Sequence, residues 1–423
     1  MSWEIEKEIG AIREGGLFRE LRTLASGQGA SVMRGGAMLA NFSSNDYLGL
    51  AASDELKVAL KEGVDRFGAG SGASRLVCGS LAPHEELEAE IASFKGSEAA
   101  LSFSSGYAVA LGTIPALLGK DDVIILDKLC HASLVDAARL SGATVRVFPH
   151  NHLEKLERLL SGARETGTGR VLVVTESIFS MDGDAAALSE IVELKDRHGA
   201  WLLLDEAHAV GVIGPQGRGL AAELGLEKRV ELQMGTLSKA VGLSGGYLAA
   251  SRSVISLLIN KARSFIYSTA PPPAVAFAAR ESLRLIQGAD GERRREKLRR
   301  NRIRWEELAA VSPGNHALAS AATRSRLREN VATAHQGGST DPTLGGAATG
   351  GAIFPVIVGD ESRAMELSRR LLDRGFLVPA IRFPTVARGS ARLRVTLSAA
   401  HELVQIEALA MGLRSAMAEL AGE

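Results

Sequence analysis

One lysine stands among small, apolar and hydroxylated residues in the stretch QMGTLSKAVGLSGGY, residues 233–247. Burial disfavours an ammonium ion, so Lys239 in such surroundings gains a neutral, nucleophilic amine that can form a Schiff base with an aldehyde. Thr236, Ser238 and the nearby glycines suit close approach to a phosphate. The stretch favours a phosphorylated aldehyde as ligand, although Lys239 can equally extend to solvent from a helix start. Because an ion pair would hold the amine charged, we expect its pocket to lack a carboxylate.

An acidic residue and a histidine follow an apolar run in LLLDEAHAVG. A strand ending at Asp205, with His208 three residues later, places polar groups at the carboxyl edge of a parallel sheet, where open α/β folds build their sites. Taken alone, Asp205 can equally cap a helix or form a loop ion pair. Asp205 and His208 are therefore candidate site residues whose meaning depends on the other motifs.

Two junctions between a strand and a helix add further candidates. In FSSGYAVALG an apolar strand reaches Gly106 and a helix begins, so backbone N–H groups and the helix dipole converge on a point that suits a phosphate. In DKLCHASLVDAA, His131 lies where a loop meets a helix, and its ring can either stack on a planar cofactor or cap the helix. Each motif is weak alone, because Ser-Gly turns often start helices for capping reasons only.

The elements that must position these residues alternate in type from about Asp54 to Leu285. The apolar runs DVIILD, RVLVVTES, AWLLLDEAH, VELQMG and GYLAAS are typical of buried strands. Because helical periodicity separates them, they indicate an α/β fold with a mostly parallel sheet covered on both faces.

One predicted helix shows how the sequence marks its own ends. Asp184 is expected to be its N-cap, and Leu188, Ile191 and Val192 form its apolar stripe. Gly199 follows the last turn as a C-terminal cap. The helix should therefore cover one face of the sheet.

The rest of the chain differs from this alternating region in composition and periodicity. Residues 4–25 predict a helix, and the charged segment 290–308 predicts a solvated helix that links two bodies. Residues 316–351 are rich in Ala, Gly, Ser and Thr without periodicity, which predicts a mobile loop. We expect three parts: an N-terminal helix and arm (1–50), a large domain (51–288) and a small C-terminal α+β domain (289–423).

Composition limits the classes of function. Lys plus Arg and Asp plus Glu both total 49, so the net charge is zero with His neutral. Electrostatics therefore give no reason to expect binding to nucleic acid or to an anionic membrane surface. Cys78 and Cys130 cannot form a disulfide framework, and a zinc site is not expected. The N-terminus lacks the apolar core of a signal peptide, and no apolar run approaches membrane length. These features predict a cytoplasmic protein that acts on small molecules and contacts other copies of itself.

The full set of motifs resembles the pyridoxal-phosphate (PLP) enzymes of fold type I and, among them, the α-oxoamine synthases. The matching blocks occur in the family's order and span nearly the whole chain: NFSSNDYLGLA, GSGASRLVCGS, SGY, HASL, TESIFSMDGD, DEAHAVGVIGPQGRG, GTLSKA, IYSTAPPP and RLRVTLSAAHE. The resemblance implies a large domain with a mostly parallel seven-stranded sheet between helices, plus a smaller C-terminal α+β domain.

The resemblance also implies residue roles. Lys239 matches the lysine that binds PLP covalently and later moves protons, Asp205 the acid that pairs with the pyridine nitrogen, and His131 the residue that stacks on the ring and contacts substrate. His208 matches a group that contacts the phenolic oxygen of the cofactor, and it joins these three as a catalytic residue. The other implied cofactor contacts are Gly106, Tyr107, Ser180, Thr236, Ser268 and Thr269, and the other implied substrate contacts are Arg19, Arg382, Thr385 and Arg394.

Members of this family condense an amino acid with an acyl thioester and release carbon dioxide. The block AIRFPTVARGSARLRVTLSAAH favours the branch that uses L-alanine with a pimeloyl group on CoA or a carrier protein. Ser268 and Thr269 match residues that reach the phosphate of a neighbouring subunit, which implies a homodimer with shared active sites.

Three alternatives stay open on the sequence. Relatives such as 2-amino-3-ketobutyrate ligase, 5-aminolevulinate synthase and serine palmitoyltransferase share the same core. An inactive partner subunit is a second alternative, although such subunits normally lack the lysine. A nicotinamide oxidoreductase is a third, drawn from FGAGSGAS, but a charged helical segment precedes that motif in place of a buried strand.

Overall fold

The computed structural model describes residues 3–165, 169–310 and 351–422 of the chain. The loop predicted at 316–351 lies outside the described residues except for Gly351. Among the described residues, no helix is both long and apolar enough to cross a lipid bilayer.

Thirteen short strands occur in the described part of the chain, and seven of them form one central sheet. The strands are β1 (Ser31–Arg34), β2 (Ala37–Asn41), β3 (Ala99–Phe103), β4 (Val123–Asp127), β5 (Thr144–Phe148), β6 (Val171–Glu176), β7 (Trp201–Asp205), β8 (Leu232–Thr236), β9 (Gly246–Ala250), β10 (Ile353–Gly359), β11 (Phe376–Leu377), β12 (Ala380–Ile381) and β13 (Ala391–Thr396).

The central sheet has the strand order β3-β9-β8-β7-β6-β4-β5. Strands β4 to β8 run parallel to one another, and β9 pairs antiparallel with both β3 and β8. Every residue of β4, β8 and β9 is buried, as the continuous apolar runs predict for strands covered on both faces. The predicted α/β fold with a mostly parallel seven-stranded sheet is confirmed.

Fourteen α-helices occur in the described part of the chain. They are α1 (Ile5–Glu14), α2 (Asp54–Phe67), α3 (Ala82–Lys95), α4 (Gly106–Leu117), α5 (Ala132–Ser141), α6 (Leu153–Glu165), α7 (Leu188–Arg197), α8 (Leu220–Glu223), α9 (Arg252–Lys261), α10 (Arg263–Ile266), α11 (Pro273–Gln287), α12 (Ala289–Ala310), α13 (Glu361–Asp373) and α14 (Leu403–Ala421).

Helices cover the central sheet on both faces. Alternate strand residues point in opposite directions, and both sets are apolar. Val174 of β6 and Leu203 of β7 belong to the apolar cluster that includes residues of α4, α5 and α9. Val173 and Leu202, one position earlier on each strand, belong to the cluster that includes residues of α6 and α7. The carboxyl ends of β6 and β7 therefore emerge from a layer that is apolar on either side.

Two three-stranded sheets lie outside the central one. Strands β10, β13 and β12 pair antiparallel. Strands β1 and β2 also pair antiparallel, and β11 pairs parallel with β2, so the beginning and the end of the chain share a sheet. Helix α12 packs against α14, and α13 packs against β10, β12 and β13. The boundaries after residues 50 and 288 stay predictions.

Two local predictions differ from the structure. The first helix ends at Glu14, well before residue 25, because Gly15 and Gly16 follow it. Helix α7 begins at Leu188 and has no side-chain cap. Asp184 instead accepts a hydrogen bond from His150 at 2.7 Å, so the predicted N-cap is wrong. Its apolar stripe is buried as predicted.

The charged segment 290–308 forms part of α12, but it is not solvated all round. Leu298 and Trp305 are each only 2% exposed and belong to a large apolar cluster. Arg295 is also buried, and it donates to the carbonyl of Ile286 at 2.9 Å. The prediction of a solvated helix was wrong on one side, because the many charged residues of this segment hide a narrow apolar face in the sequence pattern.

A buried ion pair supports the loop that follows β7. Lys95, at the end of α3, donates to Glu206 at 2.5 Å, and both side chains are at most 1% exposed. Lys95 also donates to the carbonyl of Arg218, while Glu206 accepts the amide of Ala221 at 3.0 Å. The pair therefore ties residues 206–221 to α3, directly beside Asp205.

Lys95→Met should destabilise the fold strongly, because the change leaves the Glu206 carboxylate buried without its cation. Breaking one side of such a pair costs about 3–5 kcal/mol. The free energy of unfolding in urea measures the loss. Lys57→Met is the matched control, because Lys57 forms an exposed pair with Asp54. Equal stabilities for the two variants would contradict the supporting role of Lys95.

Candidate active site

Lys239 lies in the turn between β8 and β9, at the carboxyl end of β8. The amide of Gly242 donates to the Lys239 carbonyl at 2.9 Å and closes the turn. Gly242 has a φ of 78°, and a Cβ there would lie 2.8 Å from the amide nitrogen of Ala51. A glycine is required at this position because the turn passes so close to the backbone at Ala51.

The surroundings of Lys239 lower the pKa of its amine. Burial lowers its pKa to about 8, although the carboxyl groups of Asp205 and Glu176 act in the opposite direction. The expected absence of a carboxylate from this pocket is therefore wrong, because the fold brings both acids in from neighbouring strands. The lowered pKa survives because desolvation of the ammonium outweighs the attraction of the two carboxyl groups.

The lysine amine contacts a histidine, and that histidine contacts a tyrosine. Lys239 Nζ lies 2.8 Å from His208 Nε2, and His208 Nδ1 lies 2.5 Å from the hydroxyl of Tyr47. Burial and the neighbouring positive groups hold the pKa of His208 well below its usual value, so the imidazole is neutral. Burial also raises the pKa of Tyr47 to about 12. The three groups form a buried chain that can hold or pass a proton.

Tyr47 was not among the residues predicted for the site. It lies in NFSSNDYLGLA, which is one of the blocks that carry the family resemblance. The sequence contains no signal that would place its hydroxyl against His208, because that contact joins residues 161 positions apart.

Two carboxyl groups lie side by side at the carboxyl edge of the sheet. Asp205 ends β7 and Glu176 ends β6, and these two residues are directly in register. Burial raises the pKa of both, that of Glu176 to about 8. Asp205 Oδ1 also accepts the amide of Ala207 at 2.9 Å. Asp205 was predicted from the sequence, whereas Glu176 was not.

His131 lies at the start of α5, as its position after β4 predicts. Its Nδ1 accepts the amide of Ser133 at 3.2 Å, so the ring caps the helix. Burial lowers its pKa, and the charges of Asp205 and Lys239 also act on it. The structure thus brings His131 to the Lys239 cluster while also giving it the capping role that the sequence left as an alternative.

The start of α4 lies beside β8 and forms a cradle suited to an anion. Ser105 caps the helix, and a Cβ at Gly106 would lie 3.8 Å from Thr236. Thr236 Oγ1 lies 2.7 Å from Ser238 Oγ. A helix N-terminus with adjacent hydroxyl groups provides donors for a phosphate. A Cβ at Gly246 would lie 2.7 Å from the amide nitrogen of Gly106, so a second glycine of the QMGTLSKAVGLSGGY stretch permits this approach.

Arg394 of β13 joins the site from the C-terminal part of the chain. The guanidinium is buried and donates to the carbonyl of Ser180 at 2.7 Å and to Asn45 at 3.0 Å. Asn45 in turn accepts from Tyr47 at 3.2 Å. A network of hydrogen bonds therefore links Arg394 and Ser180 to the Tyr47–His208–Lys239 chain.

A cavity of about 490 Å³ opens beside Lys239. Polar side chains on its wall come from the segment that precedes α2, including Asn45 and Asp46, and from Ser238 in the turn after β8. Leu24 and Leu243 supply apolar surface. Lys239 thus lines a space that can admit a small ligand.

Two further predicted residues bind partners outside the Tyr47–His208–Lys239 chain. Tyr107 is exposed, and its hydroxyl donates to Asp136 at 2.5 Å. Arg382 donates to the carbonyls of Gly16 and Phe18, each at 2.7 Å, and so binds the segment that carries the exposed Arg19.

Three more predicted residues lie on loops. Thr269 pairs with Ser74 in a short antiparallel bridge, next to the partly buried Ser268, and Thr385 is exposed. In the part of the chain that the structure describes, no hydrogen bond or ion pair joins Ser268, Thr269 or Thr385 to Lys239.

Two solved structures resemble this fold over most of its length. Serine palmitoyltransferase from S. paucimobilis, solved with PLP and myriocin bound, has a TM-score of 0.86 and 27% identity, and the match covers 99% of this chain and 98% of that chain. An 8-amino-7-oxononanoate synthase from Francisella tularensis has a TM-score of 0.71 and 26% identity, with 90% and 98% of the two chains covered.

Sequence comparison agrees with the fold. The family model for class I and II aminotransferases matches residues 37–413. A curated 8-amino-7-oxononanoate synthase from Geobacter sulfurreducens is 45% identical over 407 residues, which cover 96% of each chain. The chain therefore belongs to the class I and II aminotransferase family, in the group that contains the 8-amino-7-oxononanoate synthases.

Proposed function

We propose that the protein is a PLP-dependent acyltransferase that condenses L-alanine with pimeloyl-CoA, or with pimeloyl-carrier protein, to form 8-amino-7-oxononanoate in biotin biosynthesis. The products besides the amino ketone are the free thiol and carbon dioxide. The observation that carries the proposal is the buried Lys239 amine, 2.8 Å from the neutral His208 and close to Asp205. The 45% identity to a relative of that name over 96% of both chains supports the substrate assignment.

The residues at the site fit the chemistry of PLP. The amine of Lys239 suits the aldehyde, the buried carboxyl of Asp205 suits the pyridine nitrogen, and the cradle formed by the start of α4 and Thr236 suits the phosphate. His131 offers a flat ring at the same cluster. When bound, PLP supplies an electron sink for the carbanion formed at the α-carbon of the amino acid.

The protein's own groups supply the proton transfer. Because burial lowers the pKa of Lys239 to about 8, more of the amine is neutral near pH 7 than in an exposed lysine, and it is available as a base. His208 cannot supply a competing positive charge, because its pKa lies well below the usual value. Lys239 can therefore take the α-proton of L-alanine and return a proton later, with His208 and Tyr47 fixing the position of the amine.

Substrate binding is assigned to charged and polar residues around the cavity. Arg394 is proposed to bind the carboxylate of L-alanine, since its guanidinium is buried and held by Ser180 and Asn45. The acyl thioester is assigned to Arg19, Arg382 and Thr385, and further cofactor contacts to Gly106, Tyr107 and Ser180. Ser268 and Thr269 are proposed to complete the phosphate site of a partner subunit in a homodimer. The cytoplasmic location stays a prediction.

A serine palmitoyltransferase-like activity is the second candidate. The TM-score of 0.86 to the S. paucimobilis enzyme exceeds the 0.71 to the Francisella synthase. Sequence identity favours the alanine reaction instead, because 27% identity to the palmitoyltransferase is well below 45% to the Geobacter synthase. Identity is the better guide here, since substrate choice depends on particular side chains rather than on the shared fold.

A matrix of substrates separates these candidates. The PLP-loaded protein is incubated with L-alanine, glycine or L-serine against pimeloyl, acetyl, succinyl and palmitoyl thioesters, and free thiol is measured. We expect the highest release with L-alanine and the pimeloyl thioester. Preference for L-serine with palmitoyl-CoA would overturn the assignment in favour of the second candidate, and no turnover with any pair would indicate an inactive partner subunit.

Lys239→Ala should abolish both covalent attachment of the cofactor and turnover. Borohydride reduction followed by mass spectrometry of peptides identifies the attached residue. Lys57→Ala is a suitable control because Lys57 is exposed on α2. Retention of covalently attached PLP in Lys239→Ala would contradict the role given to the amine.

Tyr47→Phe should lower kcat about tenfold, because His208 loses the hydroxyl partner that fixes its ring beside Lys239. The aromatic ring remains, so the midpoint of thermal unfolding should change little. Steady-state kinetics and a thermal melt give the two readouts. A normal kcat in this variant would show that the hydroxyl does not contribute to positioning.

A further inference from the structure

His150 lies in the loop between β5 and α6, and the family resemblance assigns it no role. Its ring contacts a carboxyl group through each of its two nitrogens. Nδ1 lies 3.1 Å from Oδ1 of Asp127, and Nε2 lies 2.7 Å from Oδ2 of Asp184. Asp127 ends β4, whereas Asp184 belongs to the loop between β6 and α7. One histidine therefore joins the end of β4 to the loop that follows the neighbouring strand β6.

The geometry places two protons among these three groups. Each contact between nitrogen and oxygen needs one proton between its two atoms, and a neutral imidazole carries only one N–H. The oxygens of Asp127 accept the amides of Leu129 at 2.8 Å and Asn151 at 3.0 Å, as those of a carboxylate do. Because an imidazole is a stronger base than a carboxylate, the ring of His150 holds both protons as an imidazolium.

The surroundings of His150 agree with a positive ring. Among the described residues, the charged groups that face it are Asp127 from β4 and Asp184 from the loop after β6. Burial acts to lower the pKa of His150, but the hydrogen bonds to these two acids and their charges outweigh it and raise the pKa to about 10. The side-chain nitrogen of Asn151 lies 3.4 Å from Nε2, and it donates to the carbonyl of Ala185 at 3.0 Å.

The loop that contains Asp184 also carries Ser180. The amide of Phe179 donates to the backbone carbonyl of Asp184 at 2.9 Å, so the segment between them is closed into a compact turn. Ser180 lies in that turn, and its carbonyl accepts from Arg394 at 2.7 Å. The contact between His150 and Asp184 therefore fixes the base of the turn that presents Ser180.

The loop that begins at Asp127 leads directly to His131. The carboxyl group of Asp127 accepts the amide of Leu129, and its backbone carbonyl accepts the amide of Cys130 at 3.1 Å. His131 is the next residue, and it caps α5. A shift of the Asp127 side chain would therefore move the residue whose ring is assigned to the cofactor.

We propose that His150 is a positioning residue whose imidazolium bridges Asp127 and Asp184 and so holds together the two loops that carry His131 and Ser180. The inference rests on the proposed function, because both loops are assigned to the site that binds PLP. Its physical content is that a positive charge at position 150 keeps the two loops in the arrangement that PLP requires.

Three variants test the bridge. His150→Gln removes the cation and leaves the two carboxyl groups without it. Asp184→Asn removes one negative charge but keeps an oxygen that can accept from Nε2. His152→Gln is the matched control, because it makes the same substitution in the same loop at an exposed residue whose Nδ1 accepts the amide of Lys155 at 3.2 Å.

Three measurements are made on the PLP-free proteins. Titration with PLP gives the cofactor affinity. Hydrogen exchange, followed by mass spectrometry of peptides that cover residues 177–187, reports how often the loop after β6 opens. Nitrogen NMR of isotope-labelled histidine shows whether one or both ring nitrogens of His150 carry a proton, and His150→Gln identifies its signals.

His150→Gln should bind PLP about tenfold more weakly and exchange faster in residues 177–187, because the apparent affinity falls with the fraction of molecules whose loops are in place. Asp184→Asn should lose about threefold in affinity, since a neutral acceptor remains. His152→Gln should match the wild type. In the wild type, both ring nitrogens of His150 should be protonated at about pH 8, where an ordinary histidine is neutral.

A neutral His150 ring in the wild type at about pH 8 would overturn the proposal, because one carboxyl contact would then lack the proton that the bridge requires. Unchanged PLP affinity in His150→Gln, or an equal loss in His152→Gln, would overturn it as well. If His150→Gln fails to fold, the PLP affinity of Asp184→Asn decides, and an unchanged value there contradicts the bridge. Failure of the wild type to bind PLP would contradict the proposed function instead, so the two failures are distinguishable.

Discussion

Desolvation of the Lys239 amine is the constraint on which the rest of the site depends. The amine lies at the edge of a sheet whose strands are apolar on both faces, so little water remains to stabilise an ammonium. Asp205 and Glu176 attract a positive charge but do not restore the ordinary pKa. The balance leaves an amine that changes protonation near physiological pH, as a group that must act as both nucleophile and base requires.

The neighbouring groups are arranged so that this balance is kept. His208 contacts the amine but adds no positive charge, because the pKa of its imidazole lies well below the usual value. Arg394 is the nearby permanent cation, and it is bound to the carbonyl of Ser180 and to Asn45. These contacts join three distant parts of the chain, so the protonation of one lysine depends on the packing of the whole fold.

Much of this arrangement follows from local sequence. The apolar runs identify the buried strands, and parallel strands bring their carboxyl ends to one edge, so Asp205 and His131 could be assigned to the same region as Lys239. From the sequence, the glycines of the QMGTLSKAVGLSGGY stretch suit close approach to a phosphate. The structure shows that Gly242 and Gly246 permit close backbone contacts with Ala51 and Gly106.

What the sequence did not predict depends on long-range contacts. Glu176 ends a strand whose first four residues are apolar, and its registration with Asp205 makes it part of the site. Aspartate is a residue type that often caps helices, yet Asp184 pairs with His150 from another loop instead of capping α7. Local patterns identify which residues can act, whereas the partners of those residues are set by strand order and loop packing.

The protonation of Lys239 in the PLP-free protein tests the central claim most directly. Competitive labelling of its amine as a function of pH, quantified by mass spectrometry of the peptide that contains it, gives the titration midpoint. The account predicts a midpoint near pH 8, in agreement with the pKa of about 8 set by burial. A midpoint between about 10 and 11, as for an exposed lysine, would contradict it.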